Sequence, residues 1–187
     1  MKHVIALGLL ILPLLCQGAE VAGVKLDDSA RIGTQNLVLN GAGLRVKVFF
    51  KVYAAGLYLS EKTSSAGAAL ALAGPKRVSM TMMRDLTAQD LIDALGEGMR
   101  NNNPAAEFDK LKPRVERLNA IMSLVGAAKT GNVITLDYIP EAGTRVALNG
   151  EQKGEAITGD DFYRALLRIW LGENPVDSSL KKALLGG

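Results

Sequence analysis

The clearest pattern of apolar and polar positions runs from Asn40 to Leu59 and has a period of two. Every second residue from Leu44 to Ala54 is apolar, whereas the positions between them carry three cations, a phenyl ring and a phenol. Because successive side chains of a strand point to opposite faces, the pattern predicts a long strand over 44–59. Its apolar face suits a sheet core. Its second face is either solvated or lines a cleft for an acidic, partly apolar ligand.

Further strand-like segments lie on both sides of this stretch, and most neighbours are separated by short connections. They are residues 20–26, 35–39, 77–84, 132–139 and 144–148. The turn Pro140-Glu141-Ala142-Gly143 joins the last two and has the residue types of a hairpin. The sheet is therefore expected to be largely antiparallel.

Helices are marked by capping residues in front of apolar stripes. Thr87-Ala88-Gln89-Asp90 resembles a capping box, and Thr158-Gly159-Asp160-Asp161 repeats the pattern. Asn103 is predicted to cap a helix with Pro104 at its first position, and Pro113 is predicted to begin the next one. Residues 63–74 are expected to form a short helix or loop, and a last helix is expected over 178–185. One apolar stripe per helix predicts an α+β domain in which helices cover one side of the sheet.

The first 19 residues have the organisation of a secretory signal peptide. A short basic start precedes the apolar run 4–15 and a small-residue ending, and the run is shorter than the roughly 20 residues of a membrane span. We expect cleavage after Gly18 or Ala19, a periplasmic or secreted protein, and a single domain over 20–187. Lipid attachment at Cys16 is the alternative, which Leu15 in front of it disfavours.

Composition then restricts the chemistry. The only histidine, His3, and the only cysteine, Cys16, both lie in the predicted signal peptide. The mature chain is therefore not expected to use a Ser-His-Asp or Cys-His mechanism, a Cys/His zinc site or a disulfide, and we expect neither a metal nor a cofactor. The net charge of +3 is spread along the chain without a cationic block, which disfavours nucleic-acid binding.

Several segments of the chain resemble the chalcone isomerase-like family. Gly41-x-Gly43-x-Arg45 followed by Phe50-Lys51-Val52-Tyr53-Ala54-Ala55-Gly56-Leu57-Tyr58-Leu59 is similar to the family's core motif. The pair Leu86-Thr87, the block Phe108-Asp109-Lys110-Leu111-Lys112-Pro113 and the segment Ile169-Trp170-Leu171-Gly172-Glu173-Asn174-Pro175-Val176 follow in the family's order. The resemblance implies an open-faced β-sandwich, a large antiparallel sheet covered by helices.

The resemblance also implies a ligand site. Fatty-acid-binding members of the family pair an arginine with a tyrosine on the ligand carboxylate, and the matching positions are Arg45 and Tyr53. The tyrosine and asparagine that isomerases use align with Leu91 and Gly98, which cannot hydrogen-bond a substrate through their side chains. The resemblance therefore implies no complete set of catalytic residues and favours a protein that is not an enzyme.

The leading hypothesis is a periplasmic, non-catalytic protein that binds a fatty acid or a similar small amphipathic acid. One alternative is an isomerase or intramolecular lyase of the chalcone isomerase type, and another is an envelope protein-interaction factor without a small ligand. A straight strand argues against a shared site, because eight residues of strand separate Arg45 from Tyr53 by about 26 Å. Lys47 and Lys51 are expected to belong to a solvated face, and Trp170 to the core.

Overall fold

Seven strands form one antiparallel sheet in which each strand hydrogen-bonds to its neighbours in chain order. The computed structural model describes residues 18–187, so most of the predicted signal peptide lies outside the described residues. Two short strands at the start of the described chain pair with each other. The strands are β1 (Ala19–Val21), β2 (Val24–Leu26), β3 (Ser29–Ile32), β4 (Gln35–Lys47), β5 (Phe50–Leu59), β6 (Lys76–Met82), β7 (Val133–Ile139), β8 (Gly143–Leu148) and β9 (Glu151–Ile157).

Helices cover one face of this sheet, as the apolar stripes predicted. They are α1 (Ala66–Ala71), α2 (Ala88–Asn102), α3 (Ala105–Val125), α4 (Asp160–Leu171) and α5 (Ser178–Leu184). The main core lies between the sheet and the helices, and Trp170 and Phe162 are among its largest fully buried side chains. A smaller apolar cluster forms on the other face, where Leu26 and Ile32 pack with Leu37 and Tyr58. The predicted α+β architecture, an antiparallel sheet covered by helices, is confirmed.

The predicted strand over 44–59 is wrong, because the chain reverses in its middle. β4 ends at Lys47 and β5 begins at Phe50, and Val48 and Phe49 form the turn between them. Val48 has a φ of 59°, a left-handed conformation that hairpin turns usually assign to glycine or asparagine. The sequence therefore carries no residue type that marks the turn.

The region around Pro113 also differs from the prediction. α3 is one helix that runs through Pro113 and has no side-chain cap at Pro104, and Asn103 ends α2 instead of capping α3. The apolar positions of α3 continue with helical spacing on both sides of the proline. They are Phe108, Leu111, Val115, Leu118, Met122 and Val125. Burial of this continuous stripe outweighs the one backbone hydrogen bond that proline cannot donate.

Local signals at the other helix starts gave a mixed result. Both hydrogen bonds of the capping box between Thr87 and Asp90 are present. α4, in contrast, begins after Gly159 without a side-chain cap. None of the helices in the described part of the chain is long and apolar enough to span a membrane.

Candidate functional site

Arg45 and Tyr53 are directly opposite each other on adjacent strands. The hairpin that reverses the chain makes them cross-strand partners of β4 and β5. Directly opposed residues of an antiparallel pair project from the same face with Cβ atoms about 4.5–5.5 Å apart. The 26 Å separation expected from a straight strand is therefore wrong, and the structure brings the two predicted site residues together.

A bulge in β5 makes this pairing possible. Val46 pairs with Lys51 whereas Arg45 pairs with Tyr53, so β5 has one more residue than β4 over this step. The extra residue restores Tyr53 to the face of Arg45, which a regular two-residue hairpin would not do. Bulges commonly redirect side chains beside functional sites.

Two glycines place Arg45 next to helix α5. A Cβ at Gly43 would lie 2.7 Å from the Cβ of Ala183, and one at Gly41 would overlap the backbone of α5. The helix can therefore rest on β4 only because the strand lacks side chains at both positions. Arg45, the next residue on this face, comes to lie beside Asp177, the N-cap residue of α5.

The guanidinium of Arg45 is partly buried and only loosely paired. Nη1 donates to the carbonyl of Val46 at 2.5 Å and lies 3.7 Å from Oδ2 of Asp177, which is longer than a hydrogen bond. The Asp177 carboxylate instead accepts the backbone N–H groups of Val46, Ser179 and Leu180. The guanidinium also lies within hydrogen-bonding reach of the Tyr53 hydroxyl, so the two groups can act on one carboxylate together.

Tyr53 contributes a protonated phenol. Its hydroxyl accepts a hydrogen bond from Nε1 of Trp170 at 3.0 Å. Burial raises the pKa of Tyr53 to about 12, against the opposing effects of the Trp170 hydrogen bond and the Arg45 charge. Among the hydrogen bonds of the described residues, none uses the proton of this hydroxyl. At neutral pH Tyr53 can therefore donate to an acceptor held by Arg45.

The positions that align with isomerase residues have packing roles. Leu91 is buried in the main core. A Cβ at Gly98 would lie 2.9 Å from Cγ2 of Ile169, so glycine allows α2 to approach α4 closely. Neither position presents a polar side chain to Arg45 and Tyr53.

Two surface cavities lie elsewhere on the molecule. The first, of about 230 Å³, lies between the end of α1, Tyr138 and α4, and Lys76 contributes to its wall. The Lys76 ammonium donates to the carbonyl of Leu72, and burial lowers its pKa. The second, of about 240 Å³, lies between α3 and α4. Neither cavity is lined by Arg45 or Tyr53, and no group of residues suited to a metal ion occurs within 18–187.

Sequence reasoning missed two members of the site, Trp170 and Asp177. Trp170 was assigned to the core, and it is indeed almost fully buried, but its indole N–H is directed at Tyr53. Asp177 follows directly after the segment 169–176 that carries part of the family resemblance. That adjacency was the available signal for it.

Comparison with known proteins agrees with the fold. The sequence model of the family described as chalcone isomerase-like matches residues 18–186. The crystal structure of an Arabidopsis thaliana fatty-acid binding protein superposes with a TM-score of 0.68 at 18% identity, over 87% of this chain and 92% of that one. No curated protein matches the sequence.

Proposed function

Because the chain belongs to the chalcone isomerase-like family, we propose that it is a periplasmic, non-catalytic protein that binds a fatty acid or a similar small amphipathic acid. The observation that carries the proposal is the direct pairing of Arg45 with Tyr53 across two strands. Similarity in fold to a plant fatty-acid binding protein supports the ligand class.

The polar end of the site suits a carboxylate. A guanidinium can hold both carboxylate oxygens through parallel N–H bonds, and the Tyr53 hydroxyl adds a third donor from the same face. The Asp177 carboxylate does not compete with a ligand carboxylate for the N–H groups of Arg45, because its oxygens already accept three backbone N–H groups. Its charge nevertheless weakens the attraction for an anion, so Asp177 is expected to moderate the affinity.

The apolar part of the ligand enters the core beside Tyr53. Met82 is the partner of Tyr53 on β6 and is almost fully buried, and so is Trp170, which hydrogen-bonds to Tyr53. Methionine side chains have three rotatable bonds and repack readily around irregular shapes. We propose that the acyl chain passes between Tyr53 and α4 by displacing the Met82 side chain.

The same geometry disfavours catalysis. A general acid or base is most effective when its pKa lies near the working pH, whereas burial raises the pKa of Tyr53 to about 12. Leu91 and Gly98 stand at the positions that align with the tyrosine and asparagine that isomerases use. Binding, rather than proton transfer, is the function that these residues support.

The periplasmic location rests on the signal-peptide pattern of residues 1–19. Ala19 begins β1 and pairs with Leu26, so cleavage after Gly18 would leave that strand whole. N-terminal sequencing of the protein from a periplasmic extract should begin at Ala19. A full-length chain recovered from the cytoplasm would contradict the location without affecting the ligand.

The ligand proposal is tested by the fluorescence of Trp170, the only tryptophan of the chain. Palmitate should change the emission of Trp170 in a saturable manner, because the indole is hydrogen-bonded to the Tyr53 hydroxyl that binds the carboxylate. Arg45→Ala should weaken palmitate binding about 10- to 100-fold, in keeping with the loss of a charged hydrogen-bonding partner. Tyr53→Phe should weaken it less.

The matched control is Arg31→Ala, which removes an exposed arginine of β3 whose Nε donates to the carbonyl of Gly33. This variant should bind palmitate like the wild type. Methyl palmitate, which lacks the negative charge, should bind weakly to every form. Equal palmitate affinity in the Arg45→Ala and wild-type proteins would refute the assignment of Arg45.

A further inference from the structure

The tip of the β4–β5 hairpin exposes a concentrated apolar surface. Six large apolar side chains are exposed among the described residues, and four of them lie between positions 46 and 50. Phe49 is 91% exposed, Val48 is 75% exposed and Phe50 is 59% exposed. We call Val48, Phe49 and Phe50 the hairpin tip.

The backbone conformation at the tip does not suit the residues that occupy it. Val48 occupies the first turn position with a φ of 59°, where glycine is favoured and a β-branched residue is strained. A turn adapted to water carries small or polar residues. Val48 is both strained and exposed, although a small polar residue would avoid both costs. We take this as a sign that the surface is covered when the protein functions.

Cations surround the tip on both sides of the hairpin. Lys47 pairs with Phe50 on the face of the helices, and Lys51 pairs with Val46 on the opposite face. Both lysines are exposed. The guanidinium of Arg84 lies over the Phe50 ring, 4.9 Å from its centroid. Asp90 belongs to the capping box of α2, and hydrogen bonds with Thr87, together with the charges of Arg84 and Lys47, lower its pKa.

From this arrangement we infer that the hairpin tip docks the protein on an anionic lipid bilayer. The apolar side chains enter the boundary between headgroups and acyl chains, and the lysines and Arg84 contact the lipid phosphates. The exposed apolar area is roughly 400 Å², about half of one partner's share of a standard protein interface. A protruding tip of this size suits insertion into a bilayer better than docking on a folded protein.

Vesicle flotation tests the inference. The wild-type protein should float with vesicles of equal parts phosphatidylcholine and phosphatidylglycerol, and much less with phosphatidylcholine alone. Phe49→Ser with Phe50→Ser should lower the partition coefficient at least about tenfold, because both rings leave the bilayer. Lys47→Glu with Lys51→Glu should have an effect of about the same size on the anionic vesicles.

Two control variants distinguish effects at the hairpin tip from general effects of altered surface hydrophobicity or net charge. Leu124→Ser alters an exposed leucine of α3 near β9, which is far along the sheet from the hairpin. Lys62→Glu with Lys110→Glu makes the same change of net charge at exposed positions away from the tip. Both should float like the wild type.

A probe at the tip reports insertion directly. Phe49→Trp adds a second, exposed indole to the buried Trp170, and anionic vesicles should shift its emission to shorter wavelength. The inference is overturned by absence of wild-type flotation, or by equal flotation of the phenylalanine double variant. It is also overturned if the tip instead mediates self-association, seen as a concentration-dependent dimer that Phe49→Ser abolishes. None of these outcomes depends on palmitate binding, so the bilayer inference and the ligand proposal can fail separately.

Discussion

The properties of Arg45 are set by residues on three different elements. Its partner Tyr53 lies on β5, Trp170 lies on α4, and Asp177 lies at the start of α5. The glycines of the Gly-x-Gly-x-Arg motif contribute by what they lack. They allow α5 to approach the strand, so the motif has a packing cause that is independent of any ligand.

Gly43→Ala tests this packing cause. The added Cβ would lie 2.7 Å from that of Ala183, so α5 has to move away from β4. We expect the free energy of unfolding to fall by about 1–3 kcal/mol, the usual cost of overpacking. Denaturant titration measures the change, and protease sensitivity of residues 178–184 should increase.

Gly96→Ala is the matched control for that substitution. Gly96 lies within α2, where an added Cβ has nothing within 4 Å. Alanine should therefore stabilise the protein by about 0.5–1 kcal/mol through its helix propensity. A stability loss at Gly96 similar to that at Gly43 would show that close contact with α5 is not the cause.

At the scale of the element, the β4–β5 hairpin combines a strained turn with a bulge. The turn places Phe50 on the face of Lys47, and the bulge returns Tyr53 to the face of Arg45. The alternation read from the sequence therefore does not correspond to one apolar face. The turn and the bulge each shift the side chains that follow to the other face of the sheet, and the regular alternation in the sequence shows neither of them.

Val48→Gly should separate the stability of the hairpin from its surface chemistry. Glycine adopts a φ of 59° without the steric cost that valine has, but it loses more chain entropy on folding. We expect a net stabilisation of about 0.5–1.5 kcal/mol in denaturant titrations. The same variant should float less with anionic vesicles. A destabilised Val48→Gly protein would mean that the turn is not strained.

Sequence reasoning succeeded where the determinants are local. The capping box at Thr87 and Asp90 marked the start of α2, and apolar stripes marked the helices. Because each helix has one apolar stripe, the sequence also predicted helices on one side of the sheet. It failed at Val48, where the turn lacks turn residues, and at Pro113, where burial of a long stripe overrides a local breaker. The two residues predicted for the site, Arg45 and Tyr53, lie opposite each other, but the distance expected between them was wrong, because pairing of strands depends on where the chain reverses.

At the scale of the whole molecule, all four tyrosines have raised pKa values. Burial raises the pKa of Tyr53 and Tyr58 to about 12, and burial also raises the pKa of Tyr138 and Tyr163. A folded-state pKa above the unfolded value of about 10 means that the folded protein binds the phenolic proton more tightly. This contribution to stability is fully present below pH 10.

We therefore expect the free energy of unfolding to decline as the pH rises from about 10 to about 12. Denaturant titrations at pH 8, 10 and 11 measure the decline, and the phenolate absorbance at pH 10.5 should be lower in the folded than in the unfolded protein. Lys76 acts in the opposite direction, because burial lowers its pKa. Comparison with Tyr53→Phe isolates the part due to Tyr53, and an unchanged slope in that variant would contradict the burial of its hydroxyl.

The contact between Asp177 and the hairpin has a consequence for biosynthesis. The hydrogen bond from Val46 to Asp177 joins residues 131 positions apart, and Asn40 reaches Leu184 across 144 positions. A ribosome therefore finishes the strand that bears Arg45 long before it makes the helix that rests on this strand. Until residues 178–184 have been made, Gly41 and Gly43 have no helix to contact. The surroundings of Arg45 are thus complete only after residue 184 has been made, and chains that stop before residue 177 lack both Asp177 and the helix.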